Sequence, residues 1–126
     1  MSDFKTLLAV GDLVSPKMSI ILSSESVRAG AKKMADEKTN SLLVMDGENL
    51  VGIVTEQDVV YRAVAANLDV NSPVNGIMTP DPIKIPADDS IFEAKKLMLD
   101  NKVHHLIVVK DNKPLGILTS AMVMGS

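Results

Sequence analysis

Leu42-Leu43-Val44-Met45-Asp46-Gly47-Glu48-Asn49-Leu50-Val51-Gly52-Ile53-Val54-Thr55-Glu56-Gln57-Asp58 reads as an apolar run, a turn, a second apolar run and a polar helix start. The same order returns 64 residues on, in Leu106-Ile107-Val108-Val109-Lys110-Asp111-Asn112-Lys113-Pro114-Leu115-Gly116-Ile117-Leu118-Thr119-Ser120-Ala121-Met122. Continuous rather than alternating apolarity predicts strands covered on both faces, and the polar residues between the runs predict turns. Five landmarks of the first stretch, Leu42, Val44, Gly52, Ile53 and Thr55, recur unchanged in the second as Leu106, Val108, Gly116, Ile117 and Thr119.

Working outward, the offset holds without a gap from about Leu13 and Ile77 onward. Pro16/Pro80, Ile21/Ile85, Ser26/Ser90, Lys32/Lys96, Met34/Met98, Asp36/Asp100, Lys38/Lys102 and Val59/Val123 are identical, and Val27/Ile91 and Leu43/Ile107 are conservative. An internal repeat of this period organises the whole chain. Each copy begins with a short strand (Ser19–Leu22; Ile83–Ile85), followed by polar residues and a helix. In the second copy Asp89 or Ser90 can cap that helix, and Ile91, Ala94, Lys95 and Met98 fall at helical spacing. Val27, Ala31, Met34 and Ala35 mark the matching face in the first, where Gly30 weakens the helix by about 1 kcal/mol relative to Ala. The two-strand stretch comes next, and a last helix starts near Glu56 or Ser120. The fold class is therefore α/β (mixed α+β), two β-α-β-β-α units in tandem. Residues 1–12 read as a lead-in, 13–68 as the first unit, 69–75 as a connector and 76–126 as the second. After Thr119 only seven residues remain, so the final helix is short or the chain is cut from something longer; the second is the expectation.

Composition narrows the function classes. The 126 residues carry a net charge of −3 and are 46% apolar but only 2% aromatic. The core must be built from Val, Ile, Leu, Met and Ala, and Met34, Met45 and Met98 fit core periodicity. With no basic stripe and only Phe4, Tyr61 and Phe92 as aromatics, nucleic acid is not an expected partner. There is no cysteine, which excludes disulfides, zinc–thiolate sites and thiol catalysis. No apolar run approaches a membrane span, and the first residues lack a secretion-signal layout. A cytoplasmic protein is expected.

A β-α-β-β-α unit closed by Gly-Ile-Val-Thr-Glu-Gln-Asp (Gly52–Asp58) resembles the CBS motif, and two in tandem look like a Bateman module. Ile77-Met78-Thr79-Pro80 and Lys102-Val103-His104-His105-Leu106 carry the likeness into the second copy, so that it covers about Leu13 to Val123. The wording from Asp58-Val59-Val60-Tyr61-Arg62 to Pro73-Val74 is similar to CBS pairs of bacterial multidomain proteins. Those proteins also carry a cyclic-nucleotide-binding-like domain and a nucleotidyltransferase-like domain. The resemblance implies pseudo-twofold packing of the two motifs, a homodimer, a fused or associated effector domain, and an adenosine-type ligand in the cleft between motifs. The ligand class is AMP, ADP, ATP or S-adenosylmethionine, acting as a regulatory ligand and not as a cofactor.

On this resemblance Thr55 and Asp58 hold the ribose, a sensible chemistry because a carboxylate accepts from vicinal hydroxyls in charge-assisted hydrogen bonds. Thr-x-x-Asp at a helix start also approximates a capping box, with Asp58 facing the positive helix end, and both roles can coexist. Ile83, Lys84 and Ile85 are implied for adenine, and Thr79, Val103, His104 and His105 for the phosphate side. The histidines also fit a solvent-facing strand entry. Adjacent on a strand they point to opposite faces, so no metal site is expected. The second, pseudo-symmetric site keeps Thr119 but has Met122 in place of the carboxylate. With Ser19, Ile20 and Asn40 lining it, it should bind weakly, leaving one competent site per chain. No nucleophile with an oriented base and no Gly-rich phosphate loop is present, so no catalytic residue is assigned and the chain is not expected to be an enzyme. The alternative function is a structural dimerisation module with no small-molecule ligand.

Overall fold

The computed structural model describes residues 8–14 and 18–124. Residues 1–7 of the lead-in, Pro16 (the repeat partner of Pro80) and the last two residues lie outside them. The chain divides into two units. One is Ser19–Pro82, and the other joins the segment up to Met18 to everything from Ile83 onward.

In the first unit the order is β1 (Ile20–Leu22), α1 (Val27–Glu37), β2 (Ser41–Asp46), β3 (Asn49–Thr55) and α2 (Glu56–Asp58). Helix α2 runs on into a π-helical turn (Val59–Val64); a 3-10 turn (Val74–Gly76) and β4 (Thr79–Pro80) follow. The sheet order is β1-β2-β3-β4, with β1 and β2 parallel and the other pairs antiparallel. The second unit has a 3-10 turn (Val10–Asp12), β5 (Lys84–Pro86), α3 (Ile91–Asn101), β6 (His105–Lys110), β7 (Lys113–Thr119) and α4 (Ser120–Met124). Its sheet is β5-β6-β7, with the same parallel-then-antiparallel pairing. Both units are β-α-β-β-α, the mixed α/β class that the repeat predicts.

The repeated residues sit where local physics needs them. Ser26 Oγ accepts from the Ala29 N–H at 3.0 Å and Ser90 Oγ from the Glu93 N–H at 3.1 Å, so the same cap starts α1 and α3. Lys38 and Lys102 end those helices in the left-handed region, each with φ 54. Val51 and Leu115 are the extra residues of bulges between Val44/Met45 and β3 and between Val108/Val109 and β7. The hairpin turns differ. Asp111 and Asn112 both take positive φ (52 and 64), as a type I′ turn requires, whereas in the first hairpin only Gly47 does.

The predicted runs are deeply buried, Leu42, Leu43, Val44 and Leu106, Ile107, Val108 all at 0% exposure. The first core holds Ile21, Val27, Met34, Leu42, Val44 and Val54; the second holds their repeat partners Ile85, Ile91, Met98, Leu106, Val108 and Leu118. The inward face of α1 departs from expectation, for Ala35 is exposed and Ala31 half-buried, while Gly30 turns inward. The stripe is Val27, Gly30 and Met34, and Gly30 faces Ile21, Leu42 and Val74.

Residues 69–82 do not leave the first unit. Val74 is in its core, its N–H donating to Glu25 O at 2.7 Å, while Val27 and Arg28 N–H donate to Ser72 and Val70 O. The lead-in does the same in the second unit, where Val10 joins the core and donates to Asp89 O at 2.8 Å. Val10 and Val74 are one repeat apart, as are Asp89 and Glu25. No helix among the described residues is long and apolar enough to cross a membrane.

Candidate functional site

Strand β3 is extended up to Thr55 (φ −120, ψ 167), and α2 starts at the next residue. This junction places a hydroxyl and a carboxylate together. Asp58 N–H donates to Thr55 Oγ1 at 3.3 Å, while Thr55 N–H and Oγ1–H donate to Asp58 Oδ2 at 2.8 and 3.2 Å. The capping box that the spacing allows is thus fully formed. The Asp58 side chain is only 12% exposed, and its other oxygen, Oδ1, faces Arg62 Nε at 3.7 Å.

A carboxylate offers about four lone-pair sites, and the box uses two, both on Oδ2. Thr55 has committed its proton to Asp58, so what the pair still offers is acceptor capacity on Oδ1 and on the threonine oxygen. Such a notch suits a group that presents hydroxyl donors and disfavours an anion.

Two further features frame the notch. Thr79 lies on β4 opposite Ile53, and Thr55 is two residues along β3, so Thr55 and Thr79 project from the same face of the sheet. Strand β4 can lie here because position 52 is glycine: a Cβ there would stand 2.5 Å from Met78 Sδ and 2.9 Å from Thr79 O. Arg62 is the residue that sequence reasoning missed. Its Nη1 donates to Ile77 O and Met78 O, both at 3.3 Å. The signal for it was available in the Asp58-x-x-x-Arg62 spacing, which pairs opposite charges on a helix.

The remaining sequence-predicted residues fall as follows. Ile83, Lys84 and Ile85 open the second unit: Ile85 is fully buried, Ile83 O accepts from Ile107 N–H at 2.9 Å, and Lys84 is exposed. Because Ile83 and Ala87 turn their backbone groups toward β6, the alternation of a strand turns those of Lys84 the other way. Val103 is half-buried against the second core and His104 is exposed, its carbonyl accepting from Ser120 N–H at 2.9 Å. His105 is half-buried and pairs with Thr119 across β6 and β7. Thr119 repeats the cap, accepting from Met122 N–H at 3.3 Å, but Met122 has no carboxylate to return the bond.

Of the other second-site residues, Ser19 donates its hydroxyl to Glu37 Oε1 at 2.5 Å and its carbonyl accepts from Leu43 N–H. Ile20 lies in β1, half-buried. Asn40 O accepts from Glu56 N–H, and Asn40 lines an open depression of about 460 Å³ with Lys38, Thr39 and Glu56.

Comparison with known proteins gives a consistent result. The family model of the CBS domain matches residues 10–65 and 74–125. A 17.7 kDa protein of Acidianus ambivalens is 34% identical over 107 residues, which is 84% of this chain; the chain spans 64% of that protein's length. Among solved structures, the CBS domain pair of protein MJ0100 in complex with 5-methylthioadenosine and S-adenosyl-L-methionine is 26% identical, with a TM-score of 0.83 and 94% of each chain covered. CBSX2 in complex with AMP is 25% identical, with a TM-score of 0.77 and 94% of each chain covered.

Proposed function

Because the chain belongs to the CBS domain family, we propose that it is a regulatory module that binds an adenosine-containing ligand by its ribose on Thr55 and Asp58. The observation that carries this reading is the notch itself. A nearly buried carboxylate keeps acceptor capacity on one oxygen after its other oxygen has completed the helix cap. A vicinal diol supplies the donors that such a notch lacks, and charge-assisted hydrogen bonds are roughly twice as strong as neutral ones. AMP, S-adenosyl-L-methionine and 5-methylthioadenosine, named with the two similar structures, are all adenosine compounds.

The rest of the ligand is assigned by family likeness. Adenine goes to Ile83, Lys84 and Ile85, where the backbone N–H and C=O of Lys84 offer one donor and one acceptor to a base edge. Thr79, Val103, His104 and His105 take the phosphate side. Occupancy acts on an effector only to the extent that the ligand binds two arrangements of the module unequally.

A second reading, a dimerisation module without ligand, is favoured by the apolar side chains left outside on the helices. Val60, Tyr61 and Val64 are 52%, 67% and 64% exposed in the first unit, and Phe92 and Leu99 are 69% and 71% exposed in the second. Thermal melting with AMP, ADP, ATP and S-adenosylmethionine separates the two. At 100 times its dissociation constant a ligand adds about 2.7 kcal/mol, a rise of about 10 °C for a chain of this size. Asp58→Asn should cut the rise by about half or more at the same ligand concentration. A melting point indifferent to all four compounds but dependent on protein concentration would leave the dimerisation reading standing alone.

A further inference from the structure

We propose that Arg62 is the positioning residue of this ligand site, locking the Asp58 carboxylate and the Thr79 strand into one geometry. The proposal rests on the reading of Thr55 and Asp58 as a diol acceptor. Ile77 and Met78 N–H both donate to Val74 O, and no N–H of the bend before β4 donates to the carbonyls of Ile77 and Met78. Arg62 supplies both from a single nitrogen, Nη1, at 3.3 Å. Its Nε meanwhile faces Asp58 Oδ1 at 3.7 Å. One rigid, planar fork thus spans the acceptor meant for the ligand and the backbone that delivers Thr79, one residue after Met78.

The local winding supports the assignment. Asp58 is the last α-helical residue and Arg62 lies in the π turn, where Ala65 N–H reaches back to Val60 O and Leu68 N–H to Ala63 O, each across five residues. A π turn inside a helix is rare and frequently sits at a functional site. Here the changed winding sets the direction in which Arg62 leaves the helix relative to Asp58. On the far side, Gly52 admits Met78 and Thr79 against β3 with no room to spare. The Oδ1 atom is therefore held against its own cation, and a diol must bind it in that orientation. A lysine could keep the charge but cannot reach two carbonyls and a carboxylate at once.

The test compares AMP with 2′-deoxy-AMP by calorimetry in the full chain. The natural protein should prefer AMP by about tenfold or more, the worth of one charge-assisted hydrogen bond. In Arg62→Gln the preference should fall to within about twofold because AMP weakens more than 2′-deoxy-AMP, and Arg62→Lys should not restore it. A loss shared equally by both nucleotides would reduce Arg62 to a merely structural part and overturn the proposal. A ligand-free arm uses amide exchange at Ile77, Met78 and Thr79. Asp58→Asn and Arg62→Gln should each speed exchange there, and the double variant should add little to either. Additive rates would overturn the link. Non-additive rates in a protein that binds neither nucleotide would uphold the link and sink the ligand reading instead.

Discussion

A methyl group at position 52 would stand 2.5 Å from Met78 Sδ and 2.9 Å from the Thr79 carbonyl oxygen. The methionine could swing away, but the carbonyl belongs to β4 and cannot move without carrying Thr79 with it. Gly52→Ala should therefore destabilise the protein by about 1–3 kcal/mol, the usual penalty for an added methyl in a filled space. It should also weaken AMP, although the residue touches no ligand. Urea unfolding with unchanged slope and a lower midpoint, set beside AMP titration, checks both effects; an unaltered midpoint would show that β4 is not pressed against β3. The repeat marked Gly52 and Gly116 as equivalent without giving the reason, since a strand passing beside a glycine leaves no trace in spacing. Thr55 and Asp58 were legible because their spacing along the chain is also their contact in space. Arg62 was half legible: its pairing with Asp58 is local, but the carbonyls of Ile77 and Met78 come from across the unit.

Helices α1 and α3 are one element written twice, with equal length, serine caps and left-handed ends. They differ on the buried stripe, where Gly30 of α1 matches Ala94 of α3. A Cβ at Gly30 would meet Ile21 Cδ1 at 3.4 Å and Leu42 and Val74 at 3.8 Å, ordinary contact distances. Gly30→Ala should stabilise the protein by about 0.5–1 kcal/mol through helix propensity and a less free unfolded chain. A urea midpoint that fell would mean that Ile21 cannot give way. The caps were readable because they are written in a few neighbouring residues, whereas the stripe of α1 was only partly so, Gly30 facing inward where Ala31 and Ala35 were expected. The π turn was not, because Val59-Val60-Tyr61-Arg62-Ala63-Val64 has the composition of an ordinary helix and the extra residue per turn answers to tertiary contacts. The bulges escaped for a similar reason, being set by pairing with the neighbouring strand.

Over the whole molecule, the units are not the contiguous halves that the repeat suggests, because contact rather than order along the chain defines a core. Val10 completes the core built after Ile83, and Val74 completes the one built after Ser19. Each unit nonetheless holds its own β-α-β-β-α set, and the difference that bears on stoichiometry lies at the start of the last helix. Thr55 and Thr119 both cap a helix, but only the first faces a carboxylate three residues on; the second faces Met122, whose thioether is at best a weak acceptor. A diol at Thr119 would have to give up hydrogen bonds to water for no charged partner, which is unfavourable in a partly buried place. Calorimetry should therefore return close to one AMP per chain. Asp58→Asn should weaken binding by about tenfold or more, as expected for the loss of a charged acceptor. Thr119→Ala should remove a helix cap, lowering stability by about 1 kcal/mol, yet leave AMP affinity within about twofold because that hydroxyl lies outside the competent site. Two nucleotides per chain, or equal losses from the two substitutions, would mean that the methionine side binds as well as the aspartate side and that the carboxylate is not what selects the ligand.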